Sequence, residues 1–397
     1  MNAQDIKAVK DFLKEGPGHQ LIALSDEIFD LKELSGEEFK SSELLKAYLE
    51  QASYEVESGV GGMATAFRAT YVNGDGSGPS FGLLAEYDAL ERLGHGCAHH
   101  MQGPAILGAA EAIRQFGGHH NYKIVIYGTP AEETLGGKIV MADNGCFQDI
   151  DIALMMHGAD STCVDERCMA LENFVVTFHG TSSHAAMNPD EGRSAFDAVL
   201  LSFNGIEFLR EHVKDDTRMH YTVRDAGGAP NVVPNKAVGE YTLRSYDTDY
   251  LNEVVERFMN ILKGAALMTD TTFEVQRDYP FKAKIPNFTL NDLVMEQAVQ
   301  LGMPQITEPR KKTGSTDFGN VMYMVPGTCI RTAFVDQGIA AHSTEYVEAG
   351  KTARAHEAML DATVVLAGTC IDILNNPDML TRIQKEFQEA KQKGMSK

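Results

Sequence analysis

The sequence contains no block of basic residues. Its 35 Lys and Arg stand against 56 Asp and Glu, and the formal charge of −21 opposes binding to nucleic acid or to an anionic membrane surface, both of which need clustered cations. No run comes near the roughly eighteen uninterrupted apolar residues of a membrane span. The opening stretch MNAQDIKAVKDFLKEG carries no signal-peptide pattern, so a cytoplasmic location is expected. Cysteine is sparse: Cys97, Cys146, Cys163, Cys168, Cys329 and Cys370 are scattered through 397 residues, too thinly for a disulfide scaffold. Free thiols are expected. No internal repeat, low-complexity segment or long linker interrupts the chain, which excludes a solenoid or a string of tethered modules.

What is present is an ordinary globular composition, 43% hydrophobic, in a chain long enough for two domains. Up to about residue 160, short apolar runs suited to buried parallel strands (FGLLA, KIVIY, IALMM) alternate with helical stretches such as GPAILGAAEAIRQF, the pattern of an α/β layer. From about Asn173 the strands become half-polar and alternating (FVVTFHG, KAVGEYTLRSYD, TTFEVQRD), with helical segments around Arg193 to Val213 and Asp249 to Met268. That pattern predicts a small α+β unit. After Pro286 the buried-strand pattern returns with TCIRTAF, followed by a terminal helix over Thr352 to Leu374. The fold class expected is α/β, a mixed, mostly parallel sheet flanked by helices. Residues 1–171 and 285–397 are expected to form this larger domain, and 172–284 a small α+β domain inserted into it.

Polar residues gather where these strands end. Glu86 and Asp88 follow FGLLA, Glu132 and Glu133 follow KIVIY, and His157 follows IALMM, the edge of an open α/β sheet where sites form. GHGCAHH, from Gly94 to His100, lies just beyond the first and opens a helix near Gln102 to Pro104. Thiolate, imidazole and carboxylate together are the ligand set of zinc or a similar ion. Taken singly, each residue has a plainer reading. Glu132 and Glu133 could be solvated carboxylates, His157 a core histidine, His184 a cap or loop residue, Arg244 a strand-face ion pair and His342 a surface loop residue. His19, His119, His120, His212, His220 and His356 receive no role.

The joint pattern resembles, over essentially the full length, the dinuclear metal amidohydrolases and metallopeptidases that include aminoacylases, hippurate hydrolases and auxin-conjugate hydrolases. The family's C-G-H-[DN] reads Cys97-Ala98-His99-His100, its PAEE reads Pro130-Ala131-Glu132-Glu133, and its M-H reads Met156-His157. The late H-S-P-E-F reads His342-Ser343-Thr344-Glu345-Tyr346, with His184-Ala185-Ala186, the PNVVP run from Pro230 to Pro234, and Arg244 in the inserted segment. AEYDAL (Ala85 to Leu90) and GSTDFGNV (Gly314 to Val321) look most like the branch holding p-aminobenzoyl-glutamate hydrolase and a dipeptidase for β-alanyl dipeptides.

The resemblance implies that Cys97, His99, Glu133, His157 and His342 hold two divalent ions, manganese or zinc, with cobalt or nickel as alternatives. Glu132 would be the general base acting on a metal-bridged water. Asp88 would orient a ligand, and His184 would stabilise the oxyanion from the partner subunit of a homodimer formed through the insert. Asn231 and Arg244 would bind the substrate, Arg244 through its carboxylate. Gly227-Gly228 is read as a hinge easing lid movement. The implied reaction is hydrolysis of the amide bond of a small N-acyl amino acid, aryl-amide or dipeptide. Deamination of a small aromatic substrate, or a non-catalytic metabolite-binding role, is the alternative. The chain departs from the family pattern at Ala98 (Gly), His100 (Asp or Asn), Glu91 (Pro) and Gly158 (Pro). Each of these positions touches the pocket.

Overall fold

The computed structural model describes residues 1–395 and divides into two compact units, Met1–Arg167 with Lys284–Lys397, and Cys168–Ala283. The strands are β1 (Glu55–Ser58), β2 (Phe67–Asn73), β3 (Ser80–Ala85), β4 (Tyr122–Gly128), β5 (Ile152–Ala159), β6 (Cys163–Val164), β7 (Ala170–His179), β8 (Arg218–Asp225), β9 (Lys236–Ser245), β10 (Thr272–Arg277) and β11 (Gly327–Ala333). The boundary expected after residue 171 falls inside β7, because Ala170 and Leu171 already pair with Ser245 and Arg244 of β9.

The larger unit holds a seven-stranded sheet in the order β1-β2-β4-β3-β5-β11-β6. β4, β3, β5 and β11 run parallel to one another, and β2 and β6 run against them. Every residue of β3 is buried, as a central strand covered on both faces must be, which is why its sequence is a continuous apolar run rather than an alternation. Helices Gln102–Phe116 and Ala353–Asn375 are buried over most of their surface, and Thr363 Oγ1 of the second donates to the carbonyl of Ala105 in the first at 3.1 Å. This pairing, with the helices Ala3–Glu15 and Gly18–Leu31, forms the main apolar core. The four central parallel strands therefore deliver their carboxyl ends to one edge.

The smaller unit is a four-stranded antiparallel sheet, β10-β7-β9-β8. Burial alternates along β7 and β9, so one face is covered and one open. The covering helices are Ala195–Arg210 and Thr248–Thr269. In the second, Leu251, Val254, Val255, Phe258 and Leu262 are buried at helical spacing, and the Asp247 side chain caps it by accepting from the Asp249 and Tyr250 amides.

Two expectations are corrected. The helix over 352–374 is not terminal: another, Pro377–Met395, follows it. The break falls at Asn376 because proline supplies no amide hydrogen and disfavours helical backbone in the residue before it. β5 also does not stop at Met156, since Gly158 and Ala159 pair with Thr332 and Ala333 of β11.

Candidate metal centre

The segments that follow β3 and β4, the end of β5 and the loop after β11 bring their polar residues together. Their backbones show how. Ala98, between Cys97 and His99, has φ +57°, Ala131, just before Glu132, has φ +61°, and His342 has φ +65°. Each left-handed non-glycine residue costs roughly 1–2 kcal/mol, and such strain concentrates where side-chain direction matters for function. The His342 amide donates to the Gly96 carbonyl at 3.0 Å, which pins the late loop onto the Cys97 turn. Cys97 Sγ then lies 2.8 Å from His342 Nε2.

Donor atoms of Cys97, His99 and His157 lie within 4.8 Å of one another. The same holds for Cys97, Glu133 and His342, and for His99, Glu132 and Glu133. Two three-residue sets thus share Cys97. Ring orientation is fixed from outside. Asp88, fully buried, accepts from His99 Nδ1 at 3.0 Å and from the Ser35 hydroxyl at 2.7 Å and Glu133 amide at 3.0 Å. His157 Nδ1 bonds the Gly158 carbonyl at 2.7 Å, so its Nε2 is left as the lone-pair nitrogen, the arrangement of a metal-ligating imidazole.

The electrostatics favour a cation. Burial pushes the Cys97 thiol pKa well up, and Glu133, Glu132 and Glu86 push it further. Burial acts to lower His99, but Glu86, Asp88 and Glu133 outweigh it and hold it well above the ordinary range. Burial and the Glu86 and Asp317 carboxylates raise Glu132 well above the usual carboxylate range. Protons are thus held where a more highly charged ion would bind. Among the described residues, His99 Nε2, which faces Glu86 Oε2 at 3.2 Å, and Glu133 Oε1 are buried without a hydrogen-bond partner, a costly arrangement for polar atoms unless something else satisfies them. Thiolate, imidazole and carboxylate donors at these positions fit a pair of divalent cations.

The match to the model of peptidase family M20/M25/M40 runs over residues 82–367. The chain belongs to this family. It is 32% identical to the Xaa-Arg dipeptidase of Mus musculus over 386 residues, covering 93% of this chain and 89% of the relative. It is 30% identical to a p-aminobenzoyl-glutamate hydrolase chain of Escherichia coli, covering 97% and 95%. In fold it is similar to a dinuclear metal-binding peptidase of family M20 from Bacillus subtilis, with a TM-score of 0.68 at 18% identity, covering 90% of this chain and 98% of that one. This M20 chain is accordingly a hydrolase of amide bonds, with small molecules as its substrates.

Two departures from the family pattern prove to be one. A Cβ placed on Gly158 would lie 2.7 Å from the Ala98 Cβ and 2.8 Å from Phe334 Cε1. Ala98 fills the space that any side chain at 158 would need. His100, the third departure, is fully buried; its Nε2 bonds the Gly350 carbonyl at 2.9 Å and its ring packs on Phe29 and His95. It ties the Cys97 loop to the segment after His342. Glu91, the fourth, pairs with Arg92 at 3.6 Å on the surface.

The remaining expected residues lie in the smaller unit. His184 and Asn231 are both exposed and adjacent: His184 bridges to Val232, and the Ala185 amide donates to the Asn231 carbonyl at 3.0 Å. Arg244 stands elsewhere in the M20 insert. It pairs with Leu171, whereas Lys236 at the other end of β9 pairs with His179, a separation of roughly 27 Å along the strand.

Lys138 and Asp317 at the centre were not singled out from sequence, and Glu86 was given no role there. Lys138 is fully buried; its Nζ donates to Glu86 Oε1 at 2.5 Å and to Asp317 Oδ1 at 2.8 Å, and its amide donates to Asp317 Oδ2 at 2.9 Å. Donor atoms of Glu86, Glu132 and Asp317 lie within 4.8 Å of one another. A lysine at the start of the apolar run GKIVMAD was the available signal.

Proposed function

We propose that the chain is a dinuclear metal-dependent hydrolase that cleaves the amide bond of a small N-acyl amino acid, aryl-amide or dipeptide. The observation that carries this reading is the pair of three-donor sets sharing Cys97, with Glu132 beside them. Cys97, His99, Glu133, His157 and His342 would hold two divalent ions, manganese or zinc. When bound, these supply Lewis-acid polarisation of the scissile carbonyl and acidify the attacking water.

The chain's own residues do the rest. Glu132, half-buried and with its pKa raised by burial and by Glu86 and Asp317, accepts a proton from the water as its oxygen bonds to the carbonyl carbon. It returns that proton to the nitrogen as the C–N bond breaks. The products are a carboxylic acid and an amine. Asp88 orients His99, and Gly158 fixes the tautomer of His157. His184 and Asn231 donate to the carbonyl oxygen as charge develops on it, and Arg244 takes the substrate carboxylate.

One small molecule does not span the roughly 27 Å of strand between the His184 end of β9 and Arg244. A homodimer, in which His184 and Asn231 serve the partner's site, resolves this. The insert supports it with β8, an edge strand of its sheet, and the outer side of an edge strand can pair with its symmetry mate. All six cysteines are free, and no helix among the described residues is long and apolar enough to cross a membrane. Both fit a reducing, cytoplasmic setting.

The test compares Glu132→Gln with Glu133→Gln. The first keeps both metals and turns over roughly a hundredfold more slowly, as for loss of a general base. The second loses metal. Metal analysis beside steady-state rates decides it: loss of metal from Glu132→Gln with retention in Glu133→Gln reverses the two roles, and full activity in both ends the proposal.

A further inference from the structure

The turn that carries Glu132 is held on both sides of that residue. After it, the Glu133 amide donates to Asp88 Oδ2 at 3.0 Å. Before it, the Ala131 amide donates to Glu38 Oε1 at 2.9 Å, and the Ala131 carbonyl accepts from the Leu135 and Gly137 amides, both at 3.2 Å. Ala131 itself stands at φ +61°, backbone that a Cβ disfavours. Relaxation of this one residue would swing the next side chain, and with it the Glu132 carboxylate, away from Glu86 and Asp317, whose oxygens lie within 4.8 Å of its own.

Glu38 comes from a remote stretch, between the helices Gly18–Leu31 and Phe39–Gln51, and is fully buried. Its Oε1 also accepts from the Gly36 amide at 2.8 Å, and its Oε2 from the Thr65 hydroxyl at 2.8 Å. Three donors thus converge on one carboxylate. No cation among the described residues pairs with it, and burial is the main influence that raises its pKa above the ordinary value. A buried carboxylate without a counter-ion costs stability, and what this one secures is the strained residue ahead of Glu132. The same stretch also reaches the other side of the turn, because Ser35 Oγ donates at 2.7 Å to Asp88 Oδ2, the oxygen that takes the Glu133 amide.

We propose that Glu38 is a positioning residue for the proposed base: by holding the Ala131 amide it keeps that residue left-handed and so sets the direction in which Glu132 reaches the scissile bond. Its reach matters here and its charge does not. This role rests on the one proposed above for Glu132 and adds the group that aims it.

Two substitutions separate reach from charge. Glu38→Gln keeps an oxygen for the Gly36 and Ala131 amides and turns its nitrogen to Thr65 Oγ1, with the charge gone. Glu38→Asp keeps the charge and is one methylene short of Ala131. Both are assayed as metal-loaded full chain on a panel of N-acetyl- and N-benzoyl-amino acids, with the compound that the wild type turns over fastest. Glu38→Gln is expected to keep kcat within about threefold of wild type, and Glu38→Asp to lose at least about tenfold in kcat with KM and metal content unchanged, as for a displaced base. Adding Ala131→Gly to Glu38→Asp should return kcat by at least about threefold, since glycine adopts positive φ without help; a packing defect around Thr65 would not respond to it. Wild-type kcat in Glu38→Asp, a Glu38→Gln variant as slow as Glu38→Asp, or no recovery with Ala131→Gly overturns the proposal. If no compound is hydrolysed, the failure lies with the proposed reaction, and hydrogen exchange at the Ala131 amide decides for Glu38. Slow exchange in wild type and Glu38→Gln with fast exchange in Glu38→Asp upholds its hold on the turn; equal rates in all three refute it. Should Glu38→Asp fail to fold, the same amide is read in wild type and Glu38→Gln, where protection in both upholds the hold and exchange at the rate of an unbonded amide refutes it.

Discussion

At the scale of single residues, the informative positions are those where a side chain stands on backbone that resists it. Ala98 sits in left-handed backbone where glycine is at ease, and Gly158 stands where its Cβ would strike Ala98. Gly158→Ala is expected to destabilise by about 1–3 kcal/mol, the usual cost of overpacking. Placing it in an Ala98→Gly background should return part of that loss, with Phe334 still in the way, and give a coupling of about 0.5–1 kcal/mol. Urea midpoints for the two single variants and the double variant measure it; simple additivity would mean that the two departures are independent. His100 is explained by different contacts. Its partners are a backbone carbonyl and two rings, so a residue that reads as missing charge at the metals serves to join two loops.

At the scale of elements, Lys138 couples three pieces of chain: the end of β3 through Glu86, the helix Gly137–Asp143 that carries it, and Asp317 at the start of the helix Phe318–Val321. Lys138→Met leaves the buried Glu86 and Asp317 carboxylates without their cation and is expected to cost about 3–5 kcal/mol in chemical denaturation. A pH series separates this from a packing loss. Burial acts to raise Glu86, but Lys138, His99 and His157 hold it down at about 2, against an ordinary 4.5. A depressed carboxyl contributes stability that is full above its unfolded value and is lost as pH falls through the folded one. The wild type should therefore lose stability between about pH 4.5 and 2, with a steeper slope than Lys138→Met over the same window. Parallel slopes would show that Glu86 does not depend on Lys138.

The same elements show what could be read in advance. β3, β4 and β5 were legible because covered parallel strands write themselves as apolar runs, and β7 and β9 because half-covered strands alternate. β8 was missed: RMHYTVRD is mostly exposed, and an edge strand has little burial to record. β2 was missed because FRATYVN mixes buried and half-buried positions without strict alternation. At the centre, Cys97, His99, Glu132, Glu133, His157 and His342 came from motif resemblance. Spacing offered only the suspicion of a ligand set, because the contact between Cys97 and His342 spans 245 positions. The pairing of Arg331 with His157 across β11 and β5 was invisible, since register across two parallel strands is not written in either strand alone.

At the scale of the whole molecule, the proposed homodimer makes each site depend on two chains. Mixing His184→Ala with Glu132→Gln under conditions that allow subunit exchange should regenerate about one quarter of the wild-type sites, since half the dimers are mixed and each has one complete site. Recovery is read as kcat at a fixed total concentration. No recovery in verified mixed dimers would place His184 in its own chain's site.

The long span between Cys97 and His342 also has a consequence during synthesis. β11 enters the sheet between β5 and β6, yet the ribosome makes it after the entire insert Cys168–Ala283. The insert has its own apolar core and can fold while the larger unit still has a gap in its sheet, with β5 exposed as a temporary edge. The proposed metal centre cannot be completed until the chain passes His342. A chain interrupted between Ala283 and His342 therefore carries a finished insert and an unfinished larger unit. Capture of the proposed metals thus reports that translation has passed His342.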